Sequence, residues 1–73
     1  MKTLEPALYE IRIKARLTAE RAAWFEGLTL TVEENGETLL RGYFTDQAAL
    51  HGALAKIRDL GLPLLKVECL SGL

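Results

Sequence analysis

Seventy-three residues with a single cysteine, Cys69, leave room for one small domain and exclude an internal disulfide framework. Hydrophobic residues make up 49% and charged ones 26%, the balance of a folded domain and not of a disordered tail. Nine Lys plus Arg against ten Asp plus Glu give a net charge of −1, which supplies no global attraction to nucleic acid or to an anionic membrane.

No apolar run is long enough to span a bilayer, and the opening MKTLEPALYE lacks the apolar stretch of a signal peptide. A soluble, cytoplasmic protein is therefore expected. Residues 1–73 are read as one domain, with 1–8 as an N-terminal arm and 71–73 as a C-terminal tail. A chain this short buries only about 60% of its unfolded surface, and thin cores of this kind favour oligomers.

From Tyr9 to Leu17 apolar and charged residues alternate without a break, Tyr9, Ile11, Ile13, Ala15 and Leu17 against Glu10, Arg12, Lys14 and Arg16. That period of two predicts a strand with one buried and one charged face. Thr18 can then cap a short helix over TAERAAWFE, with Glu20 in its first turn and Gly27 at its end. Trp24 and Phe25 are expected to roof one end of the core.

Leu28 to Glu34 alternates again and runs into Asn35-Gly36, a hairpin signal. A two-residue loop would bury Arg41 beside Leu30. A three-residue loop, Glu34-Asn35-Gly36 with a glycine bulge, instead pairs Leu30 with Leu40 and Leu28 with Gly42, and turns Leu39, Arg41 and Tyr43 outward. The bulged loop is the register expected. Asp46 caps a helix over Gln47 to Leu60, whose apolar stripe is Leu50, Ala53, Leu54, Ile57 and Leu60. Gly61 and Leu62 supply a Schellman stop before Pro63. Leu65, Val67 and Cys69 alternate with Lys66 and Glu68 in a last strand, with Cys69 expected inside the core.

The order β-α-β-β-α-β predicts an α+β, ferredoxin-like fold: a four-stranded antiparallel sheet, strand order 4-1-3-2, with two helices on one face. A βββα fold with the first helix reduced to a turn is the runner-up. The open sheet face would carry Arg12, Lys14, Arg16, Arg41, Tyr43, Lys66 and several carboxylates. With one aromatic and no basic excess it reads as a solvated face of cross-strand ion pairs, and a nucleic-acid partner is not expected.

The last helix carries an unusual outer face. Ala48, Gly52, Ala55 and Asp59 lie opposite the apolar stripe, where Glu, Lys and Gln would be ordinary. Gly52 in mid-helix is unfavourable by about 0.5–1 kcal/mol relative to alanine. Small residues four apart allow another backbone close, so Ala48, Gly52 and Ala55, with Arg41 and Tyr43 on the sheet, are the interface candidates. His51, the single histidine, and Arg58 are the ligand candidates. His51 has no nucleophile or metal-ligand set assembled around it by the sequence, so no catalytic residue, metal or cofactor is assigned.

Residues 46–65, DQAALHGALAKIRDLGLPLL, resemble a motif of small uncharacterised bacterial proteins. In these an Asp-Gln-Ala-Ala-Leu-His-Gly opening and an Arg-Asp-Leu-Gly-Leu-Pro stop bracket one helix. YEIRI and WFEGLTLT extend the likeness over most of the chain after residue 8. The resemblance brings no activity or ligand with it, but it includes His51 and Gly52. The function expected is a small non-enzymatic module that forms a homodimer or other homo-oligomer, or binds another protein. One alternative is an effector-binding regulatory module like the ACT domains, by analogy of fold, with a pocket near His51, Arg58 or Tyr43. A minimal enzyme using His51 is the other.

Overall fold

The computed structural model describes residues 7–70. Strand β1 (Ala7–Ile13) turns Ile11 and Ile13 fully into the core and Glu10 and Arg12 to the opposite face. It starts and stops earlier than the alternation suggests. Ala7 and Leu8, assigned above to the N-terminal arm, are the first residues of β1 and sit opposite Phe44 and Tyr43. The rest of that arm, 1–6, and the tail 71–73 lie outside the described residues. At the other end the chain leaves the sheet after Ile13. Lys14 N donates to Pro63 O at 2.9 Å, and the buried Thr38 donates its hydroxyl to Ala15 O at 2.6 Å. Those bonds turn the backbone toward the helical segment, while Leu17 still packs on the core.

The expected first helix is only one turn, α1 (Ala19–Ala22), followed by a 3-10 turn at Ala23–Phe25. Thr18 caps it by accepting from Arg21 N at 3.2 Å. Phe25 enters the core at 3% exposure, but Trp24, expected beside it, remains 49% exposed. Neighbouring side chains on a 3-10 turn point about 120° apart, so one inward residue sends the other out. Gly27 then leaves the turn at φ +87°, a conformation that strongly favours glycine.

Strands β2 (Thr29–Val32) and β3 (Thr38–Phe44) form the hairpin in the bulged register, with Leu30 opposite Leu40 and Val32 opposite Thr38. Glu33 N donates to Glu37 O at 2.8 Å, closing a three-residue loop in which Gly36 takes φ +90°. Asn35 Oδ1 accepts from Glu37 N at 2.9 Å, the local side-chain bond that makes asparagine a turn residue.

Helix α2 (Gln47–Asp59) is capped by Asp46, whose carboxylate accepts from Ala49 N at 2.8 Å. It ends in a Schellman motif: Leu62 N donates to Ile57 O and Gly61 N to Arg58 O, both at 3.0 Å. Strand β4 (Leu64–Cys69) completes the sheet, whose order is β2-β3-β1-β4 with every pairing antiparallel. The fold is therefore α+β, one open four-stranded antiparallel sheet with helical segments on one face.

The core consists of Ile11, Ile13, Phe25, Leu40, Phe44, Leu50 and Ile57, drawn from β1, β3, α2 and the 3-10 turn. No described residue of β4 belongs to it, and all six residues of that strand are exposed. Geometry explains why. Strands lie about 4.8 Å apart and a helix is about 10–12 Å across, so one helix covers roughly two strands. Helix α2 lies against β3, and the single turn of α1 supplies no second helix of comparable length. Cys69 shares the core side of the sheet with its cross-strand partner Tyr9 but is exposed, correcting its expected place inside.

Candidate interaction surface

The charged side of the sheet is organised by two clusters. Arg12 Nη1 donates to Glu37 Oε1 at 2.7 Å and to Glu33 Oε1 at 3.0 Å, so a residue of β1 clasps both ends of the β2–β3 loop. The bond to Glu37, then that to Glu33, holds the Arg12 guanidinium above its ordinary pKa. Arg41 Nη2 donates to Glu10 Oε1 at 2.8 Å across β3 and β1. The interface candidate Arg41 is thus engaged within the chain, as expected of a face of cross-strand ion pairs. Tyr43, at 67% exposure, stands near one end of this face.

On α2, Ala48, His51, Gly52 and Arg58 are exposed and Ala55 is half-buried. Arg58 Nε donates to the neighbouring Asp59 at 3.1 Å, an exposed pair. A Cβ placed on Gly52 would meet nothing within 4 Å, so no contact inside the chain requires glycine there. Gly52 does line a cleft of about 320 Å³ with Ala49, Ala53, Trp24, Phe25 and Tyr43. Lys56, also in its wall, donates from Nζ to Trp24 O at 2.9 Å and ties the 3-10 turn to the helix. The structure thus brings Gly52 and Tyr43 to one cleft; Ala48, Ala55, Arg41, His51 and Arg58 do not line it.

Aliphatic exposure gathers on β4, where the alternation turned Leu65 and Val67 inward. Leu64 is 47% exposed, Leu65 45% and Val67 37%, all on β4, and Leu70 just beyond it is 40% exposed. Leu64, Leu65 and Val67 form one strip on an edge strand, a position that presents backbone donors and acceptors for pairing. On the opposite side of the strand Lys66 Nζ lies 3.1 Å from Glu68 Oε1. The signal that could have found this surface is the seven-residue span between Thr18 and Glu26. It is too short to cover strands on its own, which leaves one helix for a four-stranded sheet.

Among the described residues, no group of three or more His, Cys, Asp or Glu is arranged to hold a metal ion. No helix is long and apolar enough to cross a membrane. Neither a curated protein nor a solved structure matches the chain. Residues 8–68, from the first strand to the last, match the family described as Domain of unknown function (DUF8691), and the chain belongs to that family.

Proposed function

We propose that this protein is a non-enzymatic association module whose contact surface is the edge strand β4. The observation that carries the reading is the exposure of Leu64, Leu65 and Val67 on a strand at the open edge of the sheet. Aliphatic side chains left in water on a strand edge gain by covering, at about 25 cal/mol per Å² of apolar area removed from water. A thin core gives a chain of this size further reason to associate. We take the arrangement as ferredoxin-like with a shortened first helix; the element order β-α-β-β-α-β and the antiparallel sheet support that assignment.

Sedimentation velocity across a concentration series tests the reading. The wild type is expected to shift toward dimer as concentration rises. Leu65→Lys, a change at an exposed position, should shift that equilibrium toward monomer. Gly52→Leu should leave it unchanged. A dimer sensitive to Gly52→Leu and indifferent to Leu65→Lys would move the interface to α2.

A second reading follows from the cleft between the 3-10 turn and α2. Trp24 is exposed beside Gly52, whose missing side chain leaves that wall open. The cleft suits a small apolar or aromatic effector. Shifts of the Trp24 indole NMR signal on adding such compounds would support this reading, and an unmoved signal across a compound panel would count against it.

A further inference from the structure

We propose that two copies of the chain pair antiparallel through β4 about a two-fold axis at Val67, joining their sheets into one of eight strands. The proposal rests on the association reading above and adds the partner and the register.

The backbone supplies the first argument. Among the described residues, β4 has one strand neighbour, β1. Leu70 N donates to Leu8 O at 2.7 Å. Hydrogen-bonded and non-bonded pairs alternate along an antiparallel ladder, so the Glu10–Glu68 pair is bonded and the Ile11–Val67 pair is not. Val67 therefore directs its N–H and C=O away from β1, toward the open edge. Two copies meeting there about a two-fold axis exchange both Val67 bonds.

Charge selects the register. An axis on Lys66 would set the two ammonium groups opposite each other, and an axis on Glu68 would oppose two carboxylates. An axis on Val67 places Lys66 of each copy opposite Glu68 of the other, twice, with Val67 against Val67 and Leu65 opposite Cys69 on the other face. Only this alignment is both apolar on one face and charge-complementary on the other.

The chain itself leaves these charges poorly matched across β1. Lys66 sits opposite Arg12, and Glu68 opposite Glu10. Arg12 already holds Glu33 and Glu37, and Glu10 holds Arg41. Lys66 and Glu68 reach each other along the strand at 3.1 Å. A second copy gives each an opposite charge on its outer side, and the four groups then alternate in sign around the axis.

This arrangement yields a test that separates assembly from folding. Lys66→Glu puts a carboxylate opposite Arg12, and Glu68→Lys puts an ammonium opposite Glu10, so each improves the pairing within the chain. Across the axis each sets like charges against each other twice. Sedimentation equilibrium should show each single variant folded and its dimer weakened about tenfold or more. An equimolar mixture of the two variants should recover wild-type affinity as a heterodimer, and the double variant Lys66→Glu/Glu68→Lys should recover it as a homodimer. A wild-type dimer indifferent to the single changes, or weakened with no recovery in the mixture, overturns the β4 register while leaving association intact. A wild type that stays monomeric throughout the series overturns both.

Discussion

Gly52→Ala is predicted to stabilise the protein. Gly52 lies inside α2, is exposed, and is not among the glycines with positive φ. An added Cβ meets nothing within 4 Å, so no steric term opposes the change. What remains is the conformational entropy that glycine loses on entering a helix, about 0.5–1 kcal/mol relative to alanine. For a domain of this size 1 kcal/mol moves the melting temperature by roughly 4–8 °C, so a rise of about 4 °C is expected. Thermal unfolding followed by circular dichroism, with both proteins at one fixed concentration, measures it. A fall in Tm would refute the reasoning, because it would mean that another backbone packs against Gly52 and needs the missing side chain.

Gly42→Ala should have the opposite sign. Its Cβ would stand 2.5 Å from Leu28 Cδ2 and 3.3 Å from Gly27 O, so the Leu28 tip must move in the core margin, with a loss of about 1–3 kcal/mol by denaturant titration. Arg12→Gln should lower Tm, and the deficit should shrink in high salt because the clasp on Glu33 and Glu37 is electrostatic and solvent-screened. Since those bonds raise the Arg12 pKa, its contribution is present below its ordinary titration range and is lost only as pH rises through the raised value. Melting curves near neutral pH should therefore show no transition attributable to Arg12. Cys69 is exposed, so a thiol reagent should label it in the native protein under conditions that give a monomer; labelling only on unfolding would contradict its position on β4.

Much of the fold was legible because local chemistry and the global arrangement agree. The choice between two hairpin registers turned on burying or exposing Arg41, and the structure holds Leu30 against Leu40 with Gly36 in the bulge. Asp46 and the Gly61–Leu62 stop mark α2 because capping is a nearest-neighbour property. What was not legible depends on coverage. Alternation told which side Val67 and Cys69 share with Ile11 and Tyr9, but facing the core side is burial only where a helix arrives. Helix α1 stops after one turn, Trp24 turns outward, and β4 stays exposed. For the candidate site, the sequence singled out Gly52 and Tyr43, which meet at one cleft. It missed the β4 strip, since aliphatic residues in a strand read first as core.

Amide hydrogen exchange at Val67, read by NMR at low and high protein concentration, tests the central claim most directly. Glu68, bonded to β1 in either state, serves as the internal reference. Pairing through β4 predicts that the Val67 amide exchanges fast in dilute solution and becomes protected as concentration rises, while Glu68 is protected throughout. A Val67 amide that exchanges fast at concentrations where the protein is dimeric would contradict the claim.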